Sequence, residues 1–270
     1  MSPTPSAVAA APPAAARATL SVIIITLNEA GHIAECLDSV GFADEVIVVD
    51  SGSGDGTREI AREKGAKVTL TEDWPGFGRQ KNRALDLATG DWVLSIDADE
   101  RVTPELAEEI QGVLRAAASG AAPAGAYRIA RLSNFGGRWI RHSGWWPDHV
   151  LRLFRRGTAR FTDAVVHESV KVQGKADILD GHFLHYPYAD MDSLVAKVNA
   201  YSTAAAQAMH ARGRTTSVAG MVGHAAWTFV RIYFLRRGFL DGKEGFILAA
   251  TASAGSFFRY SKLFFLNRNK

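Results

Sequence analysis

Three short segments carry residue types that can do chemistry together. Asp97-Ala98-Asp99-Glu100 sets two carboxylates at i and i+2 behind an apolar run. Such a pair can hold a divalent cation against a diphosphate, because a hard cation takes oxygen ligands and bridges phosphate oxygens. The other reading is acidic residues that merely precede a helix and favour its dipole. Asp50-Ser51-Gly52-Ser53-Gly54-Asp55-Gly56-Thr57 also follows an apolar run. An aspartate at a strand end can accept from a ribose hydroxyl or a base N–H, and the glycines let a ligand approach the backbone. A plain turn is the alternative. It is not a calcium loop, because counting from Asp50 puts Asp55 where glycine is required and Ala61 where glutamate is required. Neither G-x-G-x-x-G nor a G-K-[ST] loop occurs. Gly78-Arg79-Gln80-Lys81-Asn82-Arg83 opens a helical pattern with three cations. That is a cradle for a diphosphate, or a solvated basic face.

The elements around these segments place them at one edge. Leu20–Thr26 is apolar and β-branched and reads as a strand buried on both faces. Residues 31–40 read as a helix, 45–49 as a second buried strand ending in Asp50, and 58–64 as a helix. A short strand over 67–70, a helix over 78–88 and a strand over 91–96 follow. Thr103 caps the next helix, with Pro104 in its first turn. Strands alternating with helices predict a parallel α/β sheet, in which ligands sit beyond the carboxyl ends of the strands. Those ends carry 26–29, 50–55 and 97–99.

Residues 125–172 interleave Arg, Trp, Gly and His with short alternating runs, which predicts hairpins or a mixed extension of the sheet. Residues 190–212 read as a helix with Leu194, Val198, Tyr201, Ala205 and Met209 along one face. Residues 1–18, rich in Ala and Pro without an aromatic, read as a disordered tail. They lack the basic start of a signal peptide.

The C-terminal quarter differs in charge from the rest. Residues 200–270 hold ten Lys+Arg against two Asp+Glu, while residues 1–199 hold 21 against 26. A basic end on an acidic body suits an anionic surface. Val218–Leu235 is mostly apolar, and residues 246–258 carry no charge. Against a bilayer span of about 20 residues the second is too short and the first is marginal. Interfacial helices, a re-entrant hairpin and a buried core hairpin remain as readings. Phe257, Phe258, Phe264 and Phe265 beside Arg259 and Lys262 favour a membrane surface. Nucleic acid is not expected as a partner, since the basic quarter is apolar rather than an exposed Arg/Lys stripe. The single cysteine, Cys36, excludes an internal disulfide or a cysteine-rich zinc site and fits a reducing compartment.

In their order along the chain, Thr26-Leu27-Asn28-Glu29, residues 50–57, residues 79–82 and Asp97-Ala98-Asp99 resemble family 2 glycosyltransferases of the GT-A fold. Trp145-Trp146-Pro147-Asp148, residues 151–156, Val166-His167-Glu168, His185-Tyr186-Pro187 and residues 236–246 are similar to the branch containing lipopolysaccharide inner-core β-1,4-glucosyltransferases. The resemblance implies a GT-A catalytic domain over 19–187 and a helical membrane-associating region over 188–270. It implies an inverting, metal-dependent transfer of a hexose, glucose in the first instance, from a UDP-sugar to a lipid-linked glycan. The enzyme would be peripheral on the cytoplasmic face of the bacterial inner membrane.

Residue by residue, the resemblance puts Thr26, Asn28 and Glu29 at the nucleotide and Asp50 at the uracil or ribose. Ser51 and Asp55 would shape the pocket, with Arg79 and Lys81 near the diphosphate. Asp99 is the direct ligand of Mg or Mn, with Asp97 beside it at the ribose or sugar and His185 as a candidate to complete the shell. Inversion needs a general base for the acceptor hydroxyl. Glu168 is the first candidate and Asp148 the second, with His167 available to orient Glu168. The Glu-Asp pair that often carries the base in GT-A enzymes is missing from the middle of this chain. Trp139, Trp145 and Trp146 are candidates to stack on sugars, and Arg138, Arg141 and Arg152 to bind an acidic acceptor. Two rivals share the donor site: a polyprenyl-phosphate sugar synthase, and a non-catalytic nucleotide-sugar-binding membrane protein.

Overall fold

The computed structural model describes residues 17–121, 124–163 and 169–268. The strands are β1 (Leu20–Thr26), β2 (Glu45–Asp50), β3 (Lys67–Leu70), β4 (Trp92–Ser95), β5 (Glu100–Val102), β6 (Ala126–Phe135), β7 (Arg138–Trp139), β8 (Asp148–Arg155), β9 (Ala159–Phe161), β10 (Val170–Val172) and β11 (Ala176–His185). The helices are α1 (Ile33–Ser39), α2 (Thr57–Glu63), α3 (Phe77–Leu87), α4 (Pro104–Ala118), α5 (Met191–Ala211), α6 (Val218–Val230) and α7 (Gly242–Arg268).

One sheet organises the body in the order β3-β2-β1-β4-β8-β6-β11-β5, with β7 paired to β6. β3, β2, β1 and β4 are parallel, as the alternation of strands and helices predicts. Beyond β4 the sheet turns mixed: β8 runs antiparallel to both β4 and β6, and β11 runs parallel to β6. The segment expected as a mixed extension supplies β6 to β10. Apolar residues on both faces of β1 explain the layering. Leu20, Val22 and Ile24 meet Ile33, Leu37, Leu106 and Ile110 on one face, while Ile23 packs with Ile47, Val49, Ala84 and Phe154 on the other. Sequestering both faces is what fixes a parallel sheet between helices. Thr103 caps α4 by accepting from Leu106 N at 3.3 Å.

Arg17 already belongs to the body, bonded through its guanidinium to Asp44 at 2.8 and 3.0 Å. α5 occupies the span expected for it, but its face is shifted. Leu194, Ser202 and Ala206 are its buried residues, and Tyr201 is 63% exposed. A small third core of Phe135, Ile140, Leu194 and Leu248, with Trp145, Tyr188 and Val198, joins the sheet to α5 and α7. α6 continues through a π turn over Arg231–Leu235 and a 3-10 turn over Gly238–Asp241 into α7. The 218–235 helix is long and apolar enough to cross a membrane, with mean hydropathy 1.2, and 6% of it is buried. The 218–235 arm is thus largely exposed, whereas α7 buries Leu248, Ala249 and Leu263.

Candidate active site

Asp50 ends β2 and is fully buried. Its Oδ1 accepts from Gly52 N at 3.0 Å and Ser53 N at 2.8 Å. Its Oδ2 accepts from Thr26 Oγ1 at 2.8 Å and from Ser53 Oγ. All lone-pair directions are thus occupied, and Arg58 Nε lies 3.6 Å away. Asp50 and Thr26, placed at the nucleotide by the resemblance, face into the fold here and hold the 51–57 loop in shape. The same loop is latched to the β1 exit. Ser53 Oγ accepts from Asn28 N at 2.8 Å, Asn28 Oδ1 accepts from Gly54 N at 2.9 Å, and Thr57 Oγ1 accepts from Glu29 N at 2.8 Å. Asn28 adopts φ +58°, a left-handed backbone that asparagine tolerates better than most residues. Asp55 accepts from Ala30 N and from Thr57 N and Oγ1. What desolvation it has works against ionisation, but these bonds hold its carboxyl below the ordinary range.

α3 contributes Gln80 and Lys81 from its buried side. Gln80 Nε2 donates to Ser51 Oγ at 2.9 Å and to Thr71 Oγ1 at 2.7 Å. Lys81 Nζ lies 2.8 Å from Asp97 Oδ1. Arg79, two residues earlier, points away and pairs with Asp163 at 3.4 Å, with its side chain 63% exposed. The structure brings Lys81, not Arg79, to the acidic pair.

The β4 exit carries the densest charge. Arg152 on β8 is buried, and one of its terminal nitrogens reaches both Asp97 Oδ2 and Glu100 Oε1, the latter at 2.8 Å. Arg131 on β6 lies 3.5 Å from the same Glu100 oxygen and bonds to Asp148 through Nε at 2.9 Å. The result is an alternating chain: Lys81, Asp97, Arg152, Glu100, Arg131, Asp148. Burial opposes ionisation of Asp97, but Arg152 and Lys81 outweigh it and hold the carboxyl well below the usual range. For Glu100 burial wins, against Arg152 and with help from Asp97, so its carboxyl is pushed up. Burial weakens the Arg152 charge, but Asp97 and Glu100 more than restore it.

Asp97 and Asp99 are therefore unequal. Asp97 is neutralised by two cations, which argues against it as a metal ligand. Among the described residues, no Lys or Arg ion-pairs with Asp99. Its Oδ2 lies 3.5 Å from His185 Nε2, and His185 Nδ1 meets Ser133 Oγ at 2.9 Å. Glu29 faces the same region. Burial first, then Asp99, raises its carboxyl to about 7, with Lys197 pulling the other way. Among the described residues no three His, Cys, Asp or Glu side chains form a ready metal cage.

Other expected residues are engaged with partners of the fold or are not described. Glu168 and His167 fall outside the described residues. Asp148 is tied to Arg131. Arg152 is locked between Asp97 and Glu100 and is not available to an acceptor. Arg138 donates to Leu240 O at 3.1 Å. Trp145 packs against Phe135 and Tyr188 in the third core. Trp139 meets Tyr186 edge-on at 5.4 Å, and Trp146 meets His182 at 5.5 Å. Sequence reasoning missed Glu100 and Arg131 as members of the charge chain. A glutamate directly after the Asp-x-Asp pair, and arginines at strand positions flanked by apolar residues, were the available signals.

A curled, mostly parallel sheet with an acidic pair at the β4 exit and a glycine loop at the β2 exit defines the GT-A class of sugar transferases. A mannosyltransferase from Pyrobaculum calidifontis shares this architecture, with a TM-score of 0.52 over 92% of this chain and 87% of that one, at 18% identity. Residues 21–167 match the model of glycosyl transferase family 2, and the chain belongs to that family. It is 31% identical to the lipopolysaccharide core biosynthesis glycosyltransferase LpsC of Rhizobium meliloti, over 91% of this chain and 92% of LpsC. It is 34% identical to an uncharacterized glycosyltransferase of Rickettsia typhi, over 90% of this chain and 86% of that protein.

Proposed function

We propose that this glycosyltransferase moves a hexose, glucose in the first instance, from a UDP-sugar to a lipid-linked glycan of the lipopolysaccharide core, with inversion. The observation that carries the reading is the inequality of Asp97 and Asp99. One carboxylate is locked by Lys81 and Arg152, while its neighbour stands beside His185 without a Lys or Arg partner among the described residues. The similarity to LpsC over nearly the whole of both chains supports the acceptor class.

A divalent cation fits this donor set. Asp99 Oδ2 and His185 Nε2 approach as an oxygen and a nitrogen ligand, and two protein ligands leave room for phosphate oxygens and water. Mg or Mn bound there would supply Lewis-acid stabilisation of the departing diphosphate. The chain's own residues do the rest. The latched 27–30 and 51–57 loops form a rigid floor at the strand ends. Lys81 and Arg152 fix Asp97 in its ionised form, so the Asp97-Ala98-Asp99 turn keeps one shape. Ser133 orients His185. Glu168 takes the proton of the acceptor hydroxyl in this reading.

The exposed, apolar 218–235 helix and the basic C-terminal quarter hold the enzyme peripherally at the cytoplasmic face of the inner membrane. Release of UDP from UDP-sugars, with transfer to a lipid-linked core acceptor, tests the reading. Asp99→Asn should abolish both, and unchanged turnover would remove Asp99 from the metal site. Glu168→Gln should bind UDP and fail to transfer; retained transfer would move the base elsewhere.

A further inference from the structure

Lys197 on α5 reaches back to the end of β11. Its Nζ donates to Pro187 O at 2.8 Å and stands 4.9 Å over the Tyr188 ring. Tyr188 is itself packed against Phe135 and Trp145, so the ammonium has a firm base. Leu194 and Val198, beside Lys197 on the helix, sit in the third core and keep α5 at that distance. The peptide that Lys197 holds borders the acidic pair. Pro187 follows Tyr186, whose N–H donates to Asp99 O at 2.9 Å, and His185 sets Nε2 3.5 Å from Asp99 Oδ2. Glu29 at the β1 exit feels the same ammonium: burial and Asp99 push its carboxyl up, and Lys197 pulls it back. A backbone contact and an electrostatic one thus set a positive charge of the helical region at the Asp99 side of the site.

The other cations named at the site have partners. Lys81 and Arg152 face Asp97, and Arg131 faces Glu100 and Asp148. Arg79 pairs with Asp163. Lys197 is exposed, and among the described residues no Asp or Glu ion-pairs with it. Pro187 O takes one of its three N–H groups, which leaves two to donate. A diphosphate brought to Asp99 and Glu29 meets like charge. An ammonium with two remaining donors beside those carboxylates relieves the repulsion and makes charge-assisted bonds to phosphate oxygens.

We propose that Lys197 binds the diphosphate of the sugar donor, so that α5 of the C-terminal helical region completes the donor site. The inference rests on the transferase reading above. In the transfer, the acceptor oxygen forms the new bond to the sugar and gives its proton to the base. The bond from the sugar to the diphosphate oxygen breaks, and its electron pair stays on that oxygen. Lys197 stabilises the charge that develops there.

The test uses the full chain with Lys197→Gln, which can still donate to Pro187 O but carries no charge, and Lys197→Arg, which keeps the charge. Calorimetry with Mn2+ present should show UDP affinity about tenfold weaker in Lys197→Gln, near the low end for a hydrogen bond between charged groups. Lys197→Arg should stay within about threefold of the parent. Mn2+ without nucleotide should bind Lys197→Gln more tightly, by about twofold, because a repelling cation has gone. Opposite signs for UDP and Mn2+ separate a charge contact from a structural one, since loosening of the 185–188 segment would weaken both. Unchanged UDP affinity in Lys197→Gln, or UDP and Mn2+ weakening together, would overturn the proposal. So would a raised acceptor KM with UDP affinity intact, which would assign the ammonium to a phosphate of the acceptor. A parent protein that binds no UDP in the presence of Mn2+ would refute the transferase reading and this inference with it. A parent that binds UDP no better than Lys197→Gln refutes the inference alone.

Discussion

Arg152→Met removes the cation at the centre of the charge chain and keeps most of its volume. In the parent protein one Arg152 nitrogen serves Asp97 and the fully buried Glu100 together. After substitution Glu100 keeps only Arg131, at 3.5 Å, and Asp97 keeps Lys81. Breaking a buried ion pair by deleting one partner costs about 3–5 kcal/mol, because a charge is left uncompensated. At about 2–4 °C per kcal/mol for a domain of 150–250 residues, Tm should fall by roughly 6–20 °C. The loss should depend on pH with a definite sign. Asp97 is held low in the folded state, so its contribution is present above the unfolded carboxylate pKa, about 3.9, and is lost as pH falls through the depressed folded value. The gap between parent and variant should be widest near pH 7 and should narrow toward pH 4, where the variant protonates its orphaned carboxylates. Circular-dichroism melting at pH 4.5, 6 and 7.5 reads both effects. Adding Glu100→Gln should recover part of the loss, since it removes the stranded charge. A fall below about 1 kcal/mol, or a gap that does not change with pH, would refute the charge chain as a structural unit.

Three further outcomes follow from the same geometry. Glu29, raised to about 7 by burial and Asp99, is strained when ionised. The strain is absent below about pH 4.3, where both states are protonated, and complete above 7. Glu29→Gln should therefore gain stability over the parent in urea titrations at pH 8 without metal and lose that gain at pH 4.5; an equal difference at both would contradict the assignment. Asp50→Ala orphans Gly52 N and Ser53 N at about 1–3 kcal/mol for each buried donor, so Tm should drop sharply, and a neutral substitution would mean the loop does not depend on Asp50. Phe234 and Leu235, 54% and 63% exposed, should drive membrane attachment. Burying each such side chain is worth about 1.5–3 kcal/mol, so Phe234→Glu with Leu235→Glu should weaken sedimentation with anionic vesicles at least tenfold without altering Tm; unchanged binding would place the contact elsewhere.

The parallel half of the fold was legible because β1 and β2 are apolar on both faces and end in polar residues. That pattern has few explanations besides a strand between two helical layers. The acidic pair and glycine loop were legible as a site for the same reason. What each side chain does there was not. Asp50 follows a strand just as a nucleotide contact would, and only the register that sets Thr26 beside it shows that the carboxylate turns inward. Arg79 and Lys81 are two residues apart on a helix, about 200° around its axis, so a single direction could never suit both. Arg152 and Arg131 act through partners 17 to 55 residues distant, and no local spacing encodes such pairs. Tyr201 was misplaced by helical phase: Ser202 and Ala206 continue the Leu194 face.

Calorimetric titration of UDP into the purified protein, with and without Mn2+, for the parent and Asp99→Ala, tests the central claim most directly. Binding that requires the metal in the parent and disappears in Asp99→Ala is the predicted result. UDP binding that ignores both the metal and Asp99, or no binding under either condition, would contradict the account.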